Sequence, residues 1–201
     1  MSRRVRTAVL ISGTGTNMSA IVDAANAADA PFEVVMVVSN VAGVEGLDRA
    51  ASAGMPVATV PHADYPDRAS FEAALHERLV EADVELVVLA GFMRILTASF
   101  VKAWEGRMIN IHPSLLPRHK GLHTHERVLE AGDARHGATV HWVVPELDSG
   151  AVIAQSGFDV AADDDPVSLA ARVKTLEHEL YPRAVADVAT ALLSRGPRTA
   201  R

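Results

Sequence analysis

Asn110 and His112 are the residues of this sequence whose types and spacing best suit acyl-transfer chemistry. They stand two positions apart in an apolar segment typical of a buried strand, so both side chains point to the same face. An amide N–H and a protonated imidazole on one face can together stabilise the oxyanion of a tetrahedral intermediate. Asp148, in the turn Leu147–Gly150, could pair with His112 if that turn folds over the strand end. The alternative is that His112 only ends a strand and Asp148 is an ordinary turn residue.

A second candidate is the glycine-rich segment Ser12–Asn17 (SGTGTN), which lies between a predicted strand and a predicted helix. Backbone N–H groups and the helix dipole make such a turn an anion site. The full dinucleotide fingerprint needs a further glycine or alanine where Met18 stands, and a nucleoside-triphosphate loop needs a Lys-Ser/Thr pair that is missing here. The pattern therefore favours a phosphate monoester held by Gly15, Thr16 and Asn17. The alternative is a tight turn that only requires glycine for its backbone.

Three histidines in one segment, His119, His123 and His125, raise the question of a metal site. His123 and His125 could lie on one side of a strand. However, no carboxylate or thiolate follows at a ligand spacing, and an H-E-x-x-H motif is absent. We therefore predict no functional metal, with a metal-dependent hydrolase kept as an alternative.

Apolar runs alternate with amphipathic segments along most of the chain, which predicts a doubly wound, mostly parallel α/β sheet with helices on both faces. Predicted strands are Thr7–Ser12, Glu33–Ser39, Pro56–Val60, Val84–Ala90, Met108–Ile111, Ala138–Val144 and Ala151–Phe158. Predicted helices are Met18–Ala28, Leu47–Ala53, Arg68–Glu81, Thr97–Trp104, Glu126–Ala131 and Ser168–Leu193, the last one kinked at Pro182. We expect one domain over residues 1–193 and a disordered tail over 194–201.

Composition limits the classes of function. The net charge is −6 and the pI is near 5.8, which argues against nucleic-acid binding because phosphate neutralisation needs a basic face. The chain has no cysteine, which excludes disulfides, thiolate metal sites and cysteine nucleophiles. No apolar run is long enough to span a bilayer, so we expect a cytoplasmic protein without membrane contacts.

Two segments around these candidates carry a resemblance to a known family. Ile111–Pro117 (IHPSLLP) resembles the signature segment of the folate-dependent formyltransferases, and Ala90–Leu96 (AGFMRIL) resembles that family's folate-contacting strand end. More narrowly, the chain resembles the members that formylate glycinamide ribonucleotide, over Thr7 to about Val185. The supporting segments are Ile11–Asn17, Gly91–Leu96, Asn110–Pro117, Gly121–His125, Glu146–Gly150, Glu177-His178 and Tyr181-Pro182. Several matches in order are more specific than any one motif.

The resemblance implies a Rossmann-like formyltransferase fold and transfer of a formyl group from 10-formyltetrahydrofolate, a co-substrate, to the amine of glycinamide ribonucleotide. It assigns catalysis to Asn110, His112 and Asp148. It assigns the ribonucleotide phosphate to Gly15, Thr16 and Asn17, and the ribose hydroxyls to Glu177. The implied folate site comprises Arg68, Met93, Arg94, Ile95, Leu96, Val144 and Asp148. Arg118-His119-Lys120 departs from the family's usual pattern, so no substrate contact is placed there.

Two other functions stay open. A formyl-folate hydrolase would use a similar Asn–His–Asp set with water as the acceptor, but such enzymes usually carry an additional N-terminal domain, whereas this chain starts directly at its first strand. A non-catalytic nucleotide-binding module would use only the glycine turn, and would leave Asn110, His112 and Asp148 without a joint purpose. The sequence leaves the oligomeric state open, a homodimer included.

Overall fold

A computed structural model describes residues 3–195 as one seven-stranded sheet flanked by six helices. The strands are β1 (Val5–Ile11), β2 (Phe32–Ser39), β3 (Val57–Thr59), β4 (Leu86–Leu89), β5 (Met108–His112), β6 (Arg135–Trp142) and β7 (Val152–Asp159). The helices are α1 (Thr16–Ala25), α2 (Glu45–Ser52), α3 (Arg68–Glu81), α4 (Ala98–Ala103), α5 (Thr124–Glu130) and α6 (Pro166–Arg195), with a short 3-10 turn at His62–Asp64.

The sheet has the strand order β3-β2-β1-β4-β5-β6-β7. Strands β1 to β5 pair in parallel, whereas β6 runs antiparallel to both β5 and β7. The chain winds outward from β1 through β2 to β3 and then returns to the other side of β1 to form β4. A crevice opens where the order reverses, outside the carboxyl ends of β1 and β4, and this is where open α/β sheets bind ligands.

The two faces of the sheet bury separate apolar cores, because side chains alternate along each strand. In β1, Val9 and Ile11 face a core covered by α1, α2 and α6, whereas Ala8 and Leu10 face a core covered by α3 and α4. The first core includes the fully buried Tyr181 ring of α6, whose hydroxyl donates a hydrogen bond to the carbonyl oxygen of Leu89 at 2.9 Å. That bond fixes α6 against the end of β4.

The register of the parallel strands determines which residues emerge together at the crevice. Leu10 pairs with Leu89, and Leu89 pairs with Asn110. The glycine turn after β1, the segment after β4 and the polar end of β5 are therefore neighbours, although they are far apart in sequence.

The predicted doubly wound, mostly parallel fold is confirmed. The bounds of α3 match the prediction, since the Asp67 side chain caps the helix by accepting from the Ser70 N–H at 2.8 Å. The predicted disordered tail is wrong at Ser194 and Arg195, which continue α6 beyond Leu193, and its remaining residues, 196–201, lie outside the described part of the chain. Within residues 3–195, no helix is long and apolar enough to cross a membrane.

Candidate active site

A cleft of about 800 Å³ lies along the carboxyl ends of β1, β4 and β5. Its walls come from the glycine turn, the segment after β4, the end of β5, the loop before α5, the β6–β7 turn and one face of α6. The residues predicted to carry chemistry, Asn110, His112 and Asp148, all line it. The fold therefore brings the three residues into one cleft.

His112 is held between two acceptors. Its Nδ1 lies 3.3 Å from Oδ2 of Asp148, and its Nε2 lies 2.9 Å from the backbone carbonyl oxygen of His119. A carbonyl oxygen can only accept, so Nε2 carries a proton. An ionised carboxylate also only accepts, so the pairing with Asp148 favours a proton on Nδ1 as well. The two acceptors thus suit N–H groups on both ring nitrogens, and the side chains of His112 and Asp148 are each 7% exposed.

Asp148 is positioned by the turn between β6 and β7. The residue has a positive φ of 48° and is buried, with 9% of its surface exposed. Its Oδ2 accepts the backbone N–H of Gly121 at 2.8 Å. The carboxylate therefore joins this turn to the loop before α5, as well as pairing with His112.

Asn110 is oriented by His141, which pairs with it across β5 and β6. His141 Nδ1 lies 2.9 Å from the Trp142 carbonyl oxygen and must donate to it. Burial lowers the pKa of His141, against the opposing effects of that carbonyl and of Asp148, so the ring is neutral and its Nε2 is an acceptor. Asn110 Nδ2, 3.2 Å away, donates to that nitrogen. The amide nitrogen of Asn110 is thereby fixed, with its second N–H directed elsewhere.

The glycine turn forms one end of the cleft. Gly15 is the N-cap of α1 with a φ of 71°, and a Cβ placed on it would lie 2.8 Å from Cα of Gly46. The glycine is therefore required both by the backbone conformation and by the close approach of α2. Thr16 and Asn17, at the start of the ten-residue helix α1, line the cleft, and the backbone N–H groups of such a turn suit an anion.

Glu177 of α6 faces the same end of the cleft. Its Oε2 accepts the amide N–H of Asn17 at 2.9 Å, while Oδ1 of Asn17 is buried without a hydrogen-bond partner in the described residues. Burial raises the pKa of Glu177, although Asn17 and the nearby Lys174 act in the opposite direction. A buried carboxylate beside an unpaired buried amide oxygen fits a ligand that brings hydroxyl or amine donors.

Another part of the cleft lining is largely apolar. Met93, Ile95, Leu122 and Leu147 line it, and each of these residues has more than half of its surface exposed. Such a group of exposed apolar residues is unusual on a surface that binds nothing. Nε of Arg94 is buried there without a partner in the described residues. This part of the lining could take a flat apolar ligand with a carboxylate for the guanidinium.

All of the predicted folate residues except Arg68 line the cleft. Met93, Arg94, Ile95, Leu96, Val144 and Asp148 line the cleft. Arg68 lies outside the lining, exposed at the first position of α3. Gly15 also lies outside the lining, because it shapes the turn from behind.

The histidines around the loop before α5 are paired with each other or with acids. His123 and His125 lie at the start of α5, so the interpretation that both lie on a strand is wrong. His125 Nδ1 and His136 Nε2 are 2.8 Å apart, and burial lowers the pKa of His136 to about 4. Within residues 3–195, no group of three or more histidines, aspartates, glutamates or cysteines has a geometry that could hold a metal ion.

Two polar cleft residues with a role in the site, Lys174 and His141, were not predicted from the sequence. Lys174 stands three positions before Glu177, so helical spacing alone would have placed it on the same face. His141 offers no such local signal, because its position beside Asn110 depends on the antiparallel register of β5 and β6.

The sequence and the structure both have close relatives. Residues 5–185 match the model of the formyl transferase family. The phosphoribosylglycinamide formyltransferase of Escherichia coli is 45% identical over 174 residues, which are 87% of this chain and 82% of that protein. The solved structure of the phosphoribosylglycinamide formyltransferase of Coxiella burnetii superposes with a TM-score of 0.89 at 44% identity, covering 94% of this chain and 89% of that one.

Longer relatives contain a similar segment. The trifunctional purine biosynthetic protein adenosine-3 of Drosophila melanogaster is 47% identical over 196 residues, which are 96% of this chain and only 14% of that protein. The family match covers most of this chain, and the bacterial relatives match it over most of their own length. The chain therefore belongs to the formyl transferase family, in the branch of the phosphoribosylglycinamide formyltransferases.

Proposed function

We propose that the protein transfers the formyl group of 10-formyltetrahydrofolate to the amine of glycinamide ribonucleotide, giving formylglycinamide ribonucleotide and tetrahydrofolate in purine biosynthesis. The observation that carries this proposal is the arrangement of the cleft. Asn110, His112 and Asp148 line one cleft together with a polar set of residues at the glycine turn and α6 and an apolar set that includes the segment after β4. An amine acceptor bound at the polar set and a formyl donor bound at the apolar set would share this cleft with the three side chains.

The polar set suits the ribonucleotide. The turn at Gly15, Thr16 and Asn17 offers backbone N–H groups to a phosphate monoester. The carboxylate of Glu177 is a good acceptor for ribose hydroxyls, and Lys174 adds a positive charge in the same set. A phosphate and a sugar thus find complementary groups within a single helix-lined pocket.

The apolar set suits the folate. Met93, Ile95 and Leu96 follow β4 and provide an apolar wall, with Val144 contributing from the segment after β6. Arg94 can form paired hydrogen bonds with a glutamate carboxylate, as its guanidinium geometry allows. The exposed Arg68 at the start of α3 would contact only a part of the folate that extends beyond the cleft.

The transfer itself requires charge stabilisation and a proton path. The substrate amine attacks the formyl carbon, and a tetrahedral intermediate with an oxyanion forms. Asn110 directs its free N–H to that oxygen, and the His112 cation stabilises it by its charge. The bond to the folate nitrogen then breaks, while a proton moves from the amine to that nitrogen through a water ordered by Asp148. No covalent enzyme intermediate is needed because the two substrates are held together.

The test is the release of tetrahydrofolate from 10-formyltetrahydrofolate, followed by absorbance with and without glycinamide ribonucleotide. Release that depends on the ribonucleotide is the expected result. Equal release without it would identify a formyl-folate hydrolase instead, and no release in either case would favour a binding module. Inclusion of a chelator in a parallel assay tests the expectation that no metal takes part.

A further inference from the structure

The loop between β5 and α5 holds a second polar group against His112, on the side away from Asp148. The carbonyl oxygen of His119 accepts the Nε2–H of His112 at 2.9 Å. The ring of His112 is therefore fixed at both nitrogens, by a side chain on Nδ1 and by a backbone group on Nε2. A backbone acceptor is only as well positioned as the residue that carries it.

His119 has a backbone conformation that must be imposed on it. Its φ is 53°, in the left-handed region that a non-glycine residue rarely adopts. Such a conformation persists only where the surrounding contacts determine it. The direction of the His119 carbonyl, and hence its bond to His112, depends on those contacts.

A hydrogen bond with Asp133 provides such a contact. Nε2 of His119 lies 2.7 Å from Oδ2 of Asp133, and Arg118 lies 2.6 Å from the other oxygen of the same carboxylate. The side chains of His119 and Asp133 are 11% and 5% exposed. Asp133 sits in the short connection between α5 and β6, so it ties the loop to an element that pairs directly with β5.

We infer that His119 is a positioning residue for His112. Its imidazole, anchored on Asp133, holds its own carbonyl at Nε2 of His112, fixes the ring plane in the cleft and keeps a proton on that nitrogen. His119 acts through His112 and is not expected to touch either substrate. The kinetic consequence rests on the proposed formyl transfer, whereas the effect on the His112 ring does not.

The first test compares two variants of the full chain with the wild type. His119→Ala removes the anchor, whereas His119→Gln keeps a donor at the position of Nε2 and should restore the contact with Asp133. We expect His119→Ala to lower kcat about ten- to a hundredfold with KM for both substrates little changed, since a misplaced catalytic group costs rate more than binding. His119→Gln should recover most of that loss. His119→Asn is the substitute if the alanine variant fails to fold, because asparagine tolerates a positive φ.

Asp83→Ala is the matched control. Asp83 has a φ of 48° in the turn that follows α3 and does not line the cleft. It therefore measures the general cost of replacing a residue in this backbone conformation. Its stability should fall, but its kcat should stay at the wild-type value.

The second test needs no turnover. In ¹⁵N-histidine spectra of the wild type, Nε2 of His112 should have the shift of a protonated nitrogen with a slowly exchanging proton, assigned by its absence in His112→Ala. That signal should broaden or vanish in His119→Ala and return in His119→Gln. An unchanged signal in His119→Ala, or a loss of kcat that glutamine does not recover, would overturn the inference. Absence of ribonucleotide-dependent turnover in the wild type would instead refute the proposed function and leave the spectra to decide the role of His119.

Discussion

At the scale of single residues, catalysis depends on which ring nitrogens carry protons. Two histidines line the same cleft in different states. His112 lies between a carboxylate and a carbonyl oxygen, so both of its ring nitrogens face acceptors, whereas His141 is buried, has a lowered pKa and accepts from Asn110. One therefore supplies charge and the other supplies orientation. The two roles follow from the groups around each ring.

The first prediction concerns His112. His112→Ala should lower kcat by about a hundred- to a thousandfold, because it removes the positive charge beside the developing oxyanion. The binding of both substrates, measured by calorimetry, should persist, because their contacts lie in the polar and the apolar sets of the lining. A variant with near-normal turnover would show that the oxyanion is stabilised by Asn110 without His112.

The second prediction concerns Glu177, whose burial in the cleft raises its pKa above the usual value near 4.5. A raised pKa in the folded state means that ionisation of this group opposes folding. Its stabilising contribution is complete below pH 4.5 and is lost as the pH rises through the folded-state pKa. Glu177→Gln should therefore raise the melting temperature at pH 7, by about 2–4 °C for each kcal/mol gained. The gain should vanish below pH 4.5, while the affinity for the ribonucleotide falls at neutral pH.

Glu179→Gln provides the control for that measurement. Glu179 is an exposed residue of the same helix and does not line the cleft. The melting temperature of Glu179→Gln should match that of the wild type at pH 4 and at pH 7. The stability gain of Glu177→Gln could also be equal at pH 4 and pH 7. That result would mean that glutamine stabilises the protein by better packing at position 177, and not by removing a buried charge.

At the scale of elements, the glycine turn shows how a local conformation creates a binding site. Gly15 must be a glycine for two reasons, its φ of 71° and the approach of Gly46 from α2. The same approach places the Gly46 N–H on the Gly13 carbonyl oxygen at 3.0 Å. The start of α2 thus supports the turn from behind, and the N–H groups on its other side stay available to a ligand.

The third prediction separates these two reasons. Gly15→Ala should lower the free energy of unfolding by about 2–4 kcal/mol, from the left-handed conformation and from overpacking against Gly46. Gly43→Ala should lose only about 1 kcal/mol, because Gly43 has a similar φ of 66° but no neighbouring atom within 4 Å of the place that a Cβ would take. Urea unfolding measures both. Equal losses would show that the close contact is relieved by a small movement of α2.

Local signals also explain which elements the sequence predicts well. Asp67 marks the start of α3, and the apolar run at β4 identifies a buried central strand. The start of α5 at Thr124 was missed, since His123 is an unusual N-cap with a positive φ and no side-chain cap bond. Helix α6 reaches Arg195, two residues beyond the predicted end at Leu193, and Gly196 was the sequence signal that favoured the longer helix.

At the scale of the whole molecule, the site depends on contacts between distant segments, and sequence spacing predicts these only in part. Asn110 and His112 share a face because strand geometry requires it. Asp148 was a conditional candidate from its turn, and the family resemblance also assigned it to catalysis. The roles of His141 and of the His119 carbonyl depend on strand register and loop conformation. Neither is encoded in the spacing of residues, so no motif could reveal it.

The net charge of the protein disfavours binding of the proposed substrate, because the protein carries a net charge of −6 and the ribonucleotide is an anion. Binding therefore requires local positive potential, from the turn at the start of α1 and from Lys174. The side chain of Lys174 is exposed, so its interaction with a phosphate is screened by salt.

The fourth prediction follows from this balance. Lys174→Met should weaken ribonucleotide binding about fivefold, equivalent to about 1 kcal/mol for one charge pair in water. It should also reduce the salt dependence of Kd, measured by calorimetry between low and physiological ionic strength. Lys102→Met, an exposed lysine of α4 outside the cleft, carries the same charge change and should leave both quantities unaltered. If Lys174→Met kept the wild-type salt dependence, the backbone N–H groups of the glycine turn and the helix dipole would be the main source of phosphate affinity. The net charge of the protein would then have little effect on binding at this site.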